Sequence, residues 1–169
     1  EIKSIPKVIK KNIKFKVSEE DLIIVNLDDD ITDRLRSETI ANKASKLSSR
    51  SEVRDSLFDI QRSFYNDNGL VADGRDMGTV VFKDAKLKIF LTASPEERAK
   101  RRYLELQNRG QEVNMPALIA DIKLRDDKDT SRDLSPLLPA DDAHIIDSSK
   151  MSQEEVLKFV IKIAEEEYF

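Results

Sequence analysis

The order of apolar and polar residues divides the chain into a short first part and a longer second part. Residues 12–17 (NIKFKV) and 22–26 (LIIVN) have the composition of two short strands, and the polar residues 18–21 (SEED) between them predict a turn. An acidic stretch at 28–30 follows, for which we favour a solvated turn over a cation site. The first part is therefore predicted to form a small antiparallel element.

Helical periodicity replaces this pattern from residue 37 onward. Residues 37–47 predict one helix and residues 49–65 a second, in which Ser49 and Glu52 have the spacing of a capping box. Apolar residues recur at helical intervals along the second helix and predict a buried stripe, namely Val53, Leu57, Ile60 and Phe64.

Beyond residue 69, predicted strands and helices alternate. The strands are at 70–72, 87–92 and 144–147, and helices are predicted at 95–109, 116–129 and after Ser152. Such alternation is typical of an α/β fold in which helices cover a parallel sheet. Start and stop signals support the helices, namely Ser94 with Pro95 and Glu97, Gly110, Ser152 with Glu155, and the apolar stripe Val156, Phe159, Val160 and Ile163.

Composition narrows the class of protein. The 169 residues are 39% hydrophobic and 37% charged, which is typical of a globular chain and not of a disordered tail. The absence of cysteine excludes disulfides and thiolate metal sites. With a net charge of −4 and no apolar run of the roughly 20 residues that a membrane helix needs, we expect a cytoplasmic protein that binds neither nucleic acid nor membranes.

Charged residues follow the predicted strand at 70–72 directly. Asp73, Arg75 and Asp76 would then lie at the carboxyl end of that strand, which is where open α/β sheets bind their ligands. A surface turn is the alternative interpretation of the same spacing. From spacing alone, the two interpretations stay open.

Arginines form a second pattern, on two successive predicted helices. Three of them stand at i, i+3 and i+4 on the first helix, and Arg125, Asp129 and Arg132 stand at i, i+4 and i+7 on the second. A solvated face explains either group alone, whereas the two together suggest a clamp for a polyphosphate, because guanidinium groups match phosphate oxygens. We expect their like charges to repel, and the helices to be mobile, until an anion binds. The three arginines on the first of these two helices are Arg98, Arg101 and Arg102.

Two strings add a resemblance to a known family. LVADGRDMGTVVF at 70–82 and IKLRDDKDTSR at 122–132 resemble motifs of bacterial cytidylate kinases. The resemblance implies a nucleoside monophosphate kinase fold, with a parallel sheet covered by helices, a small antiparallel insert that binds the monophosphate, and a helical lid. We accordingly predict the last part of the insert at 1–48, core at 49–94 and 131–169, and the lid with its flanking helices at 95–130.

The resemblance also implies roles at the phosphates. ATP would be the phosphate donor and CMP or dCMP the acceptor. Arg75 would hold the acceptor phosphate, while Arg125 and Arg132 would lie between donor and acceptor. The residues implied to face the phosphates of ATP are Arg98, Arg101 and Arg102.

Further roles concern the rest of the acceptor and the metal. By the same resemblance, Asp129 would bind the ribose hydroxyls and Asp76 would accept a hydrogen bond from the cytosine amino group. Ser45 and Arg54 would face the cytosine ring. Asp73 would reach Mg²⁺ through a water molecule. A carboxylate placed together with hydrogen-bond donors suits the edge of cytosine.

One motif of such kinases does not occur. None of the four glycines is part of a GxxxxGK[ST] phosphate-binding loop. We therefore expect the chain to be an inactive fragment of a cytidylate kinase that lacks the first strand, the loop and its helix, and that is monomeric when full-length. The alternatives are a non-catalytic nucleotide-binding or interaction module, and another P-loop kinase, which would not explain Ser45, Arg54 and Asp76 together.

Overall fold

The computed structural model describes residues 2–17 and 22–168. It consists of two compact units, Glu1–Val71 and Ala72–Phe169, which are described separately. The predicted boundaries at 48, 94 and 130 divide the chain differently and stay predictions. No helix in the described part is both long enough and apolar enough to cross a membrane.

The first unit contains the predicted antiparallel element. β1 (Ile13–Val17) pairs with β2 (Leu22–Asn26), and β2 pairs with β3 (Asp29–Asp30), both antiparallel. The predicted turn at 18–21 lies outside the described residues. Leu27 adopts a φ of 57° in the turn that it forms with Asp28, and the other two residues of the acidic stretch form β3, so the stretch is a turn only at its first residue.

Helices complete the first unit. The N-terminal helix was not predicted, although Pro6 near its start is a common first-turn signal. The helix predicted from residue 37 is confirmed, since the hydroxyl of Ser37 accepts a hydrogen bond from the backbone nitrogen of Ile40 at 3.4 Å. The four helices are α1 (Ile5–Asn12), α2 (Thr32–Leu35), α3 (Glu38–Ser48) and α4 (Ser51–Arg62).

The predicted capping box of α4 is wrong. Ser49 ends α3 instead, and its hydroxyl donates to the carbonyl of Lys46 at 2.9 Å, so it cannot cap the next helix. Val53 and Ile60 are buried as predicted. Phe64 lies beyond the end of α4 and is 42% exposed, so the buried stripe is shorter than predicted.

The second unit holds the parallel strands. β4 (Ile89–Thr92) pairs in parallel with β5 (His144–Asp147), which confirms the predicted α/β arrangement with a parallel sheet. Two helices separate these strands and pack on each other around Ala99, Leu118 and Ile122. The helices of this unit are α5 (Pro95–Asn108), α6 (Met115–Ser131) and α7 (Gln153–Tyr168).

Local capping signals place these helix ends as predicted. The hydroxyl of Ser94 accepts a hydrogen bond from the backbone nitrogen of Glu97 at 3.2 Å, and Gly110 follows α5 with a φ of 71°. Ser152 and Glu155 form a reciprocal capping box, with backbone-to-side-chain distances of 2.7 and 3.2 Å.

The predicted strand at 70–72 is not present in the structure. Val71 is 99% exposed, and no strand of the described residues pairs with this segment, so its backbone gains no sheet hydrogen bonds. A π-helical turn, Met77–Val81, follows shortly afterwards and buries Val81. The apolar triplet is therefore an extended connection that leads into Asp73 and Arg75.

Candidate functional site

A carboxylate lies between two arginines at the end of α6. Asp129 is in the last turn of the helix, and its Oδ2 pairs with the Nε of Arg75. Its Oδ1 lies 3.4 Å from Nη1 of Arg132, which directly follows the helix. The structure thus brings together three residues that the sequence predicted for the site, and we call them the Arg75–Asp129–Arg132 cluster.

The chain after α6 folds back over the helix end and fixes this cluster. The backbone nitrogen of Leu137 donates to the carbonyl of Asp129 at 2.8 Å. Nε of Arg132 donates to the carbonyl of Ser135, a residue whose φ of 49° turns the chain. Arg132 is consequently held by both the helix end and the returning segment.

Burial differs between the members of the cluster. The side chain of Asp129 is 4% exposed, that of Arg132 is 11% exposed and that of Arg75 is 42% exposed. A buried carboxylate is unfavourable unless cations pair with it, and here two guanidinium groups do so. Because two positive charges face one negative charge, the cluster keeps a net positive charge that suits an anion such as phosphate.

The other predicted residues of this loop have different environments. Asp76 is 9% exposed, and its carbonyl accepts a hydrogen bond from the backbone nitrogen of Val80 at 2.9 Å as the π-helical turn begins. Asp73 is exposed. Residues 2–17 and 22–168 contain no group of three side chains that could hold a metal ion.

The arginines of α5 have separate partners. Arg98 pairs with Asp126 of α6, and Nη1 of Arg102 pairs with Glu105 of its own helix at 2.7 Å. Arg101 points elsewhere, to the segment after β5. Because Arg98 meets a carboxylate of α6, its charge is paired across the two helices, and the predicted mobility of these helices stays a prediction. Whether these arginines face a nucleotide stays a prediction.

Arg101 contacts the segment that follows β5. Its guanidinium group donates to the hydroxyl of Ser148 at 3.1 Å, to the Ser148 carbonyl and to the carbonyl of Met151 at 3.4 Å. Ser148 is 1% exposed, and its hydroxyl donates to the carbonyl of Thr92 at 3.0 Å. Arg101 thereby joins α5 to the carboxyl ends of both parallel strands.

A second group of predicted residues lies in the first unit. The hydroxyl of Ser48 donates to the carbonyl of Ser45 at 2.8 Å, and Nη1 of Arg54 donates to the carbonyl of Ser48 at 3.0 Å. Ser45 on α3 and Arg54 on α4 are thus joined through Ser48 at the end of α3. Arg125, the remaining predicted residue, lies one turn before Asp129 on α6 and is partly buried.

Sequence reasoning missed several polar residues near these groups. Ser149 accepts a hydrogen bond from the backbone nitrogen of Ser94 at 2.9 Å, and its hydroxyl donates to Asp147 at 2.6 Å. The hydrogen bonds from Ser149 lower the pKa of Asp147. Asp147 and Ser149 have the spacing of an Asx turn, and this spacing is the sequence signal from which their contact could have been predicted. No signal pointed to Asp126, because its partner Arg98 is on another helix.

Comparison with known proteins adds to this geometry. A sequence model of the cytidylate kinase family matches residues 1–166 of this chain. A cytidylate kinase of Aeromonas hydrophila is 45% identical over 163 residues, which are 96% of this chain and 71% of that protein. One from Stutzerimonas stutzeri is 50% identical over 140 residues, and one from Pseudomonas aeruginosa is 51% identical over 137 residues; these cover 83% and 81% of this chain and 61% and 60% of those proteins.

The fold and the charged groups define the class of protein first. It is an α/β protein with a parallel strand pair, and arginines and carboxylates are grouped around the helix that precedes the second strand. The match over nearly the whole chain then specifies the family. The chain belongs to the cytidylate kinase family.

Proposed function

We propose that the protein containing this chain transfers the γ-phosphate of ATP to CMP or dCMP. Membership of the cytidylate kinase family supports the reaction. The single structural observation that carries the proposal is the Arg75–Asp129–Arg132 cluster, which has the net positive charge and the forked donors that a phosphate needs.

In this proposal the cluster binds the acceptor phosphate. Arg75 is the most exposed member, and its ion pair uses Nε, so its two Nη groups can turn towards phosphate oxygens. Arg132 lies between donor and acceptor in this proposal, so it contacts the acceptor phosphate and, together with Arg125 on α6, also acts on the phosphate being transferred. Phosphoryl transfer requires mainly alignment of the phosphates and neutralisation of their charge, which fixed arginines supply.

Recognition of cytosine is assigned to the polar residues that the family resemblance implies for the base. Ser45 and Arg54 contact the ring, and they are suited to this because they are held together at the end of α3. Asp76 accepts from the amino group of cytosine, and its low exposure makes the loss of that hydrogen bond costly. The family resemblance also assigns the ribose hydroxyls of the acceptor to Asp129.

The arginines of α5 are suited to different extents to bind the phosphates of ATP, the phosphate donor. Arg98 and Arg102 are paired with carboxylates, so ATP phosphates would compete with Asp126 and Glu105 for them. Arg101 fits this role less well, since its donors are directed at carbonyl oxygens of the segment after β5. Mg²⁺ would be held by ATP phosphates, with Asp73 accepting a hydrogen bond from one of its water ligands.

These 169 residues alone are proposed to have little kinase activity. They contain no GxxxxGK[ST] motif, whose backbone amides and lysine bind the donor phosphates in P-loop kinases. The full-length gene product and a polypeptide of these 169 residues should be assayed for ADP formation with CMP, dCMP, UMP, AMP and GMP.

The outcomes of this assay are distinct. We expect the full-length protein to prefer CMP or dCMP over the other acceptors, and the 169 residues alone to show little turnover. Binding of CMP by the full-length protein without any phosphate transfer would instead favour a non-catalytic nucleotide-binding module. Robust turnover by the 169 residues would overturn the proposal that they are inactive alone.

A further inference from the structure

Asp129 contacts two arginines that come from different parts of the chain. Arg75 belongs to the loop after residue 72, whereas Arg132 directly follows α6. Each carboxylate oxygen has its own partner, because Oδ2 faces Arg75 and Oδ1 faces Arg132. A side chain that is only 4% exposed and bridges two cations is well placed to fix both of them.

Electrostatics explains why such a bridge is needed. Two guanidinium groups brought close together repel, and the repulsion is stronger away from bulk water. The Asp129 carboxylate offsets that repulsion while it leaves the cluster one positive charge in excess. Without the carboxylate, the more exposed Arg75 side chain would be free to turn towards solvent, since the ion pair with Asp129 is what holds its Nε.

We propose that Asp129 is a positioning residue, which holds Arg75 and Arg132 side by side so that both bind the phosphate of the acceptor nucleotide. This inference rests on the proposed function and adds to it. A role limited to the ribose hydroxyls would make Asp129 important for CMP and much less so for 2′,3′-dideoxy-CMP, which lacks both hydroxyls. The positioning role makes Asp129 equally important for both acceptors.

Kinetics of the full-length protein separate the two roles. Asp129→Asn removes the charge but keeps the shape, and we expect kcat/KM to fall by the same factor, about 10- to 100-fold, with CMP and with 2′,3′-dideoxy-CMP, as for the loss of a hydrogen bond to a charged group. Asp127→Asn is the matched control, because Asp127 is exposed on the same helix, and it should change neither value. A loss with CMP alone, or no loss with either acceptor, would overturn the inference.

A measurement on the unmodified protein covers the case in which Asp129→Asn does not fold. The Nε–H protons of Arg75 and Arg132 should exchange with water much more slowly in NMR spectra than that of Arg50, whose side chain is 53% exposed. Exchange of Arg75 as fast as that of Arg50 would overturn the inference. This readout needs no turnover, so a protein that failed to phosphorylate CMP would refute the proposed function and leave the arrangement of the arginines testable.

Discussion

The arginines at the end of α6 and those along α5 have similar spacing but different surroundings. Arg132 is 11% exposed and shares a buried carboxylate with Arg75. Arg102 pairs with Glu105 one turn away on the same helix, where the side chains are 20% and 40% exposed. Helical spacing shows which side chains share a face, but burial and partners decide whether they can form a binding site.

The arginines of α5 also differ from one another in the groups that they contact. Arg98 meets a carboxylate of α6, which helps to hold the two helices together beside the apolar contact of Ala99 with Leu118 and Ile122. Arg101 is committed to carbonyl oxygens after β5. Three arginines that look equivalent in the sequence therefore have three different tasks in the structure.

The largest expected effect comes from Arg132→Ala in the full-length protein. In the proposal, Arg132 is a fixed hydrogen-bond donor to the negative charge that develops in the transition state. Its removal should therefore lower kcat about 10²- to 10³-fold and raise the CMP KM much less. Arg102→Ala is the comparison on α5 and should reduce kcat by a much smaller factor. Steady-state kinetics would contradict this contrast if Arg132→Ala left kcat within about twofold of the unmodified protein.

Asp76→Ala tests the assignment of the base. Loss of a poorly exposed acceptor for the cytosine amino group should reduce the preference for CMP over UMP by about 1–3 kcal/mol, because UMP has a carbonyl at that position. The ratio of kcat/KM for the two acceptors measures this preference. Asp73→Ala provides the nearby comparison and should leave the ratio unchanged. An unaltered ratio in Asp76→Ala would remove Asp76 from the base site.

A smaller effect, on stability, is expected for Arg101→Met. This change removes the donors to the carbonyls of Ser148 and Met151 and the hydrogen bond to the buried Ser148 hydroxyl, so the free energy of unfolding should fall by about 1–3 kcal/mol. Arg102→Met removes a partly exposed ion pair with Glu105 and should change the free energy of unfolding by less than about 1 kcal/mol. Urea unfolding of both variants makes the comparison. Equal losses would contradict the prediction, because they would show that the contacts of Arg101 stabilise the fold no more than the ion pair of Arg102 does.

Much of the fold could be predicted because its signals are local. The antiparallel pair of β1 and β2, the caps at Ser94 and Ser152 and the parallel pair of β4 and β5 all follow from nearby residues or from the alternation of elements. The strand at 70–72 was predicted from its apolar character alone. A strand also needs a neighbour for its backbone, and no strand of the described residues supplies one.

The site was predictable in part for a related reason. The motifs indicated Arg75, Asp129 and Arg132, and the structure joins them. The ion pair between Asp129 and Arg75 and the partners of Arg98 and Arg101 could not be predicted, because they depend on contacts between residues far apart in the sequence. The capping box at Ser49 failed because that serine already completes the preceding helix.

The central claim is that the Arg75–Asp129–Arg132 cluster binds the phosphate of the acceptor, and calorimetry with CMP and with cytidine tests it most directly. Cytidine carries the same base and sugar but no phosphate. In the full-length protein, Arg75→Ala should weaken CMP binding about tenfold or more, as expected for a lost bond to a charged group, and leave cytidine binding unchanged. Unchanged CMP affinity in this variant, or an equal loss for cytidine, would contradict the account.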